Sequence, residues 1–217
     1  MGNPFDAVRA FEAALCEYTG AKYACATTSC TDALMVACAY LEVEEVEIPR
    51  HTFVGVGQAI LNAGGTVKFR DEAWRGIYML RPYQIFDAAR RFRAGMFVPQ
   101  TFMAVSFHVS KICGFTDGGA ILYDDDDAHG PLHQMCYDGR PVHGVSEPWH
   151  QLIRGFHCYM GPGTAAGIHR KLAVLPEENA DLPWDDYPDL SKLSIFQPHG
   201  AKPVAEAGER ADALEWR

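Results

Sequence analysis

The chain has 217 residues, 48% of them hydrophobic and 22% charged, and a formal net charge of −9. That length supports one large domain with a true core. The acidic balance and the lack of a basic run exclude a typical nucleic-acid binder, and no stretch is long and apolar enough to span a bilayer. The opening residues lack the apolar core of a signal peptide. The seven cysteines, odd in number and without a CxxC pair, fit a reduced cytoplasmic compartment better than a disulfide framework.

Residues 4 to 18 predict an amphipathic helix, with Asn3 to cap it, Pro4 in its first turn and Gly20 to end it. KYACATT follows as a buried strand, and TDALMVACAYL as a helix starting just past Ser29 and Cys30. VEIP then reads as a strand, FVGVGQAILNAG as a helix, TVKF as a strand, and QIFDAA as a strand ending at Asp87. The basic cluster RRFR at 90–93 reads first as a solvated helix face. MAVSFH and GGAILYDD are strands on either side of a loop that carries Lys111. Residues 128 to 138 predict a helix whose start is disturbed by Gly130 and Pro131, and a further helix enters through Pro162. This alternation implies a three-layer α/β fold, a mostly parallel sheet flanked by helices. The main domain is expected over residues 1–175. The acidic, proline-rich stretch from 176 to 217 is expected to be a loosely packed or partly disordered extension.

Four features fall at predicted strand ends, where open α/β sheets bind ligands. The turn TTSCTDAL opens a helix, whose N-terminus suits a phosphate; Ser29 or Thr31 could equally be a simple cap. Phe53 lies just past a strand and reads as either a core aromatic or a plate against a ring. Asp87 closes an apolar strand, where a carboxylate is costly unless paired. Lys111 follows Ser106 and His108, and Gly118–Gly119 permits a turn that other residues resist. Phosphate cradle, aromatic plate, buried carboxylate and loop lysine together describe a pyridoxal 5'-phosphate site: the lysine amine bonds the cofactor aldehyde, and the carboxylate keeps the pyridine nitrogen protonated. Histidine spacing gives no metal site. His129 and His133 are separated by Gly130 and Pro131, and the seven-residue repeat of His143, His150 and His157 is interrupted by Pro148 and Gly155.

The segments FEAALCEYTGAKYACATTSCTDAL, IPRHTFVGVGQAILNAGGTVKF, IFDAARRF, SFHVSKICGFTDGGAIL and GFHCYMGPGTAAGIHRKL resemble the DegT/DnrJ/EryC1/StrS sugar aminotransferases, of the aspartate aminotransferase fold (fold type I), over about residues 8 to 175. The resemblance implies Lys111 as the Schiff-base lysine, Asp87 as the partner of the pyridine nitrogen, Cys30, Thr31 and Ser106 at the phosphate, Phe53 stacked on the ring, and His108 beside the cofactor. Two positions depart from the family. Arg90 stands where glutamine is usual, near the cofactor's phenolic oxygen, which gives RRFR an active-site role. In GFHCYM, His157 stands where an asparagine reaches the phosphate of the neighbouring subunit, and Tyr159 replaces an arginine.

The family's second domain and one internal crossover have no room in this sequence, so a shortened large domain with a narrower sheet is expected. The resemblance implies an aminotransferase carrying nitrogen from an amino acid, most often glutamate, to a keto group of a nucleotide-linked sugar; relatives with histidine in place of this lysine perform dehydrations. It also implies a homodimer with no nucleic-acid or membrane partner. The alternative is a truncated, non-catalytic relative with a binding or regulatory role.

Overall fold

In the computed structural model, residues 3–141, 152–183 and 187–197 are described. His143 and His150, with Pro148 and the C-terminal part of the expected extension, lie outside them.

The uninterrupted apolar strands set the layers. Every residue of β6 (Phe102–Ser106) and β7 (Gly119–Tyr123) is buried. Phe102 and Ala104 of β6 and Ile121 and Tyr123 of β7 face one core, while Met103, Val105, Ala120 and Leu122 face the other. A strand alternates its side chains between faces, so a run apolar at every position needs cover on both sides. α2 (Cys30–Tyr40), α3 (Val54–Ala63) and α4 (His129–Cys136) cover the first face, and α1 (Asp6–Thr19) and α5 (Pro162–Leu172) cover the second. Gly20 ends α1 in the left-handed conformation, at φ 81°, as its position predicts.

β1 (Tyr23–Thr27), β7, β6, β5 (Ile85–Asp87) and β4 (Tyr78–Leu80) lie side by side in that order. β2 (Glu45–Pro49) pairs in parallel with β3 (Thr66–Arg70), and a bridge from Glu47 to Arg81 joins this pair to the end of β4. The three-layer α/β arrangement is as expected, but the sheet is mixed rather than mostly parallel. β2–β3 and β5–β6 are parallel; β1–β7, β6–β7 and β4–β5 are antiparallel. For β4 and β5 the cause is connection length. A parallel return needs a crossover of about a dozen residues or more, and residues 81–84 allow only a hairpin from β4 into β5. All seven cysteines are free thiols. Among the described residues, no helix is long and apolar enough to cross a membrane.

Candidate active site

The ends of β1, β5 and β6 and the loop between β6 and β7 enclose a cavity of about 450 Å³, within the range of small-molecule sites. Its lining includes Cys30, Thr31, Phe53, Asp87, Arg90, Ser106, His108 and Lys111. The sequence-predicted site residues are thus brought together, with the exception of His157.

The helix α2 starts at the cavity because Ser29, extended at φ −156° and ψ 164°, caps it. Its hydroxyl oxygen accepts the Asp32 N–H at 3.0 Å, the N-cap bond that satisfies one of the free first-turn donors. The Asp32 carboxylate in turn accepts the hydroxyls of Thr28 and Ser29, each at 2.6 Å. Cys30 and Thr31 therefore occupy the first turn, facing the cavity, where unpaired N–H groups favour an anion.

Asp87 ends β5 almost completely buried, 5% exposed. Its Oδ1 accepts the Ala89 N–H at 2.9 Å and its Oδ2 accepts the Tyr78 hydroxyl at 2.9 Å. Burial pushes the carboxyl above the usual carboxylate range; these two donors and the charges of Lys111 and Arg90 offset it in part.

The Lys111 loop is closed by its own backbone. The Phe107 N–H donates to the Gly118 carbonyl at 2.9 Å, and the Phe115 N–H to the Phe107 carbonyl at 2.9 Å. Gly118 takes φ 125°, and a Cβ on Gly119 would stand 2.4 Å from the Cys30 nitrogen. The double glycine therefore lets the loop and the α2 N-terminus meet. Burial, then the Arg90 charge, lowers the Lys111 ammonium below the ordinary lysine range, against the pull of Asp87. Burial also raises the Cys30 thiol well above its usual range, with Asp87 adding to it, so Cys30 stays a neutral thiol.

Phe53 is 51% exposed at the rim, which excludes the core-aromatic reading. The His108 ring bonds Ser110, its Nδ1 2.9 Å from the hydroxyl. The RRFR cluster is not a helix face. It follows β5 as irregular chain, with Arg90 in the cavity wall, Arg91 paired to Asp181 at 2.7 Å and Phe92 buried. The reason is local: the Ala89 N–H is bonded to the Asp87 side chain, and the Ala88 N–H continues the β6 ladder to the Ala104 carbonyl. His157 is outside the cavity of its own chain, 71% exposed and paired to Asp138 at 3.0 Å.

Sequence reasoning missed Thr52, Trp74 and Tyr187 in the cavity wall, and Tyr78, which bonds Asp87 from outside the lining. Tyr78 lies on the three-residue strand β4, and Thr52 bonds it at 2.6 Å. Trp74 is held by a bond from its Nε1 to the His51 carbonyl at 2.9 Å. Tyr187 comes from the segment expected to be loosely packed. Its hydroxyl accepts Arg90 Nη2 at 3.0 Å, and its ring stacks at 6.4 Å on Trp74. The described part of that segment is mostly exposed and is tied to the domain at a few points, with Leu190 and Phe196 buried. The Ala94 N–H donates to the Glu177 carbonyl and the Leu182 N–H to the Arg90 carbonyl, while on the other side of the cavity the Leu190 N–H donates to the Arg50 carbonyl. Phe196 is buried against Phe69 and over Gly57.

Residues 3–97 match the DegT/DnrJ/EryC1/StrS aminotransferase family. A stretch of 66 residues, 30% of this chain, is 46% identical to UDP-4-amino-4,6-dideoxy-N-acetyl-beta-L-altrosamine transaminase of Campylobacter jejuni and covers 18% of it. A DegT/DnrJ/EryC1/StrS aminotransferase from Brucella abortus superposes with a TM-score of 0.66 at 20% identity, over 79% of this chain and 59% of that one. NtdA from Bacillus subtilis, solved with bound cofactor PMP, does so with a TM-score of 0.64 at 20% identity, over 79% and 48%. These likenesses establish the fold, and this chain spans about half the length of the two solved proteins.

Proposed function

We propose, on the premise that residues 3–97 resemble the DegT/DnrJ/EryC1/StrS aminotransferases, that this chain is a pyridoxal-phosphate-dependent aminotransferase. Its reaction takes nitrogen from an amino acid, glutamate first among candidates, to a keto group of a nucleotide-linked sugar. One observation carries the reading: Lys111 and Asp87, from different elements, face one cavity with Ser106 and the α2 N-terminus.

The donor set fits the cofactor. Asp87 is a buried carboxylate whose bonded partners are neutral donors, and a protonated ring nitrogen is the cation such a group favours. When bound, pyridoxal phosphate supplies an aldehyde for a lysine amine and a ring that draws electrons from an adjacent carbon. Lys111, its ammonium weakened by burial, is the covalent anchor, and when free its Nζ holds and returns a proton. Ser106, Cys30 and Thr31 hold the phosphate, Phe53 covers a ring face, and Arg90 stands where it can meet an oxygen anion. His108 is assigned to the rim beside them. His157, exposed away from its own cavity, serves the site of a second copy, so a homodimer is the working assembly. The sugar acceptor rests on the nucleotide-sugar name of the Campylobacter relative.

The test is the absorbance of the purified chain with and without pyridoxal phosphate, before and after glutamate. Borohydride reduction and peptide mass spectrometry then place the adduct. A visible band, its loss on adding glutamate, and an adduct on Lys111 are expected; no adduct on that peptide overturns the reading. The alternative is a non-catalytic relative with a binding or regulatory role, and a cofactor band that glutamate leaves unchanged would select it.

A further inference from the structure

On the far side of β1 from the lysine loop, three side chains from three elements converge. Glu12 of α1, Cys25 of β1 and His133 of α4 bring one ligand atom each within 4.8 Å of one another. The histidine is oriented as metal-binding histidines are. Its Nδ1 lies 2.9 Å from the His129 carbonyl oxygen, an atom that can only accept, so Nδ1 carries a proton and Nε2 points at the cluster. A ring nitrogen fixed by a backbone carbonyl is the usual outer support of a metal ligand. Nε2 is 3.2 Å from Glu12 Oε1, and that oxygen is itself anchored by the Ala26 N–H at 2.8 Å. Cys25 Sγ stands 3.6 Å from the Cys136 thiol, close to the roughly 3.8 Å edge shared by two thiolates bound at about 2.3 Å to one tetrahedral ion. A cavity of about 100 Å³ opens onto all four side chains, room enough for an ion with a water.

We infer that Glu12, Cys25 and His133 form a binding site for a transition-metal dication of the zinc class, with Cys136 or a water as fourth ligand. The mixed sulfur, nitrogen and oxygen set excludes calcium and magnesium as preferred occupants. Binding forms metal–sulfur, metal–nitrogen and metal–oxygen bonds. The Cys25 thiol proton, the Cys136 thiol proton where that sulfur ligates, and the Nε2 proton where present pass to solvent, and no electron is transferred. The ion ties α1 and α4 to β1, away from the proposed cofactor cavity, so the inference does not depend on the aminotransferase reading.

The experiment titrates cobalt(II) into the full-length, untagged, chelator-treated chain and records difference spectra. One equivalent is expected to bind with the d–d bands of a tetrahedral site and a thiolate-to-cobalt charge-transfer band, and zinc is expected to displace it. Cys25→Ser should remove the charge-transfer band where water is the fourth ligand and about halve it where Cys136 is, and His133→Gln should weaken cobalt at least about tenfold. Cys16→Ser, near the cluster but outside it, should change neither. Zinc should raise the melting temperature of the parent chain and not that of His133→Gln, a readout that stands if Cys25→Ser fails to fold. The absence of a stoichiometric tetrahedral spectrum, an undiminished charge-transfer band in Cys25→Ser, or equal zinc stabilisation of parent and His133→Gln overturns the site.

Discussion

The Tyr78 hydroxyl donates to Oδ2 of Asp87 at 2.9 Å while Thr52 bonds the same hydroxyl at 2.6 Å. The tyrosine has one proton and gives it to the carboxylate, so Thr52 is the donor to Tyr78. Asp87 is thereby held at a fixed angle by β4 and by the loop before α3, neither of which contributes a charge. The carboxylate is placed and left short of positive charge, the state in which it favours a cation arriving with a ligand.

Asp87→Asn is expected to stabilise the cofactor-free protein while impairing the reaction. Burial raises the folded carboxyl above its ordinary value of 3.8. The protonated form is therefore the one favoured by folding. Its contribution is present at low pH and is lost as pH rises from about 3.8 through the folded value. Asparagine does not titrate, keeps an oxygen for the Ala89 N–H, and can donate to Tyr78. The difference between its melting temperature and the parent's should grow in its favour across that window and stand clearly above zero at pH 7. The amino-acid half-reaction should slow by about 100-fold or more, as when a positioned ionic group is removed from a site. Thermal melts from pH 4 to 8 and stopped-flow with glutamate check both.

Arg90 and Lys111 are coupled charges in one wall of the cavity. The guanidinium disfavours the ammonium and helps to hold Lys111 below its ordinary range. Arg90→Gln should shift the pH midpoint for reaction of Lys111 with pyridoxal phosphate upward and slow the reaction severalfold at neutral pH. Tyr187→Phe removes the hydroxyl that holds Arg90 but leaves the charge, and should leave the midpoint in place. The pH profile of adduct formation by the cofactor-free protein distinguishes the two.

Local chemistry made much of this legible in the sequence. Ser29, Gly20 and Pro162 mark helix ends through bonds and dihedrals that neighbours alone decide. The apolar runs at 102–106 and 119–123 can be buried only as central strands. Ser106 was visible at the end of the first run, Lys111 in the loop that joins the two, and Asp87 at the end of its own short apolar strand. Tyr78 was not, because a three-residue strand gives no period to read. Nor was Tyr187, whose acidic, proline-rich surroundings suggest no core and which is held instead by backbone bonds and a few aromatic anchors. Glu12, Cys25 and His133 are distant in the chain, so spacing among the histidines alone gave no metal site. The hairpin of β4 into β5 was on view in the short connection at 81–84, whereas β1 and β7 are distant in the chain and their antiparallel pairing leaves no mark in spacing.

Gly119→Ala tests whether the α2 N-terminus is an anion cradle. The added methyl would sit 2.4 Å from the backbone of Ser29 and Cys30, atoms that cannot turn aside as a side-chain tip can. The helix start must move away from the loop, at a cost of about 1–3 kcal/mol. Affinity for pyridoxal phosphate should fall at least about tenfold, whereas a pyridoxal analogue lacking the phosphate should lose little. Equal losses for the two ligands would mean that the α2 start does not hold the phosphate.

Phe196 pins the segment that carries Tyr187 into the cavity wall. Its ring lies over Gly57, where a Cβ would come within 2.6 Å of it, and meets Phe69 edge-on at 5.6 Å. Phe196→Ala removes about 2 kcal/mol of burial, most of which should fall on this segment because the strands of the core do not depend on it. Amide exchange in 187–197 should accelerate by an order of magnitude or more, while β5, β6 and β7 keep their protection. Pyridoxal phosphate should then dissociate faster, since Tyr187 and its stacking on Trp74 close one side of the cavity. Exchange mass spectrometry with a cofactor-release assay reads both effects. A fast-exchanging segment with an unchanged release rate would show that Tyr187 lines the cavity without closing it.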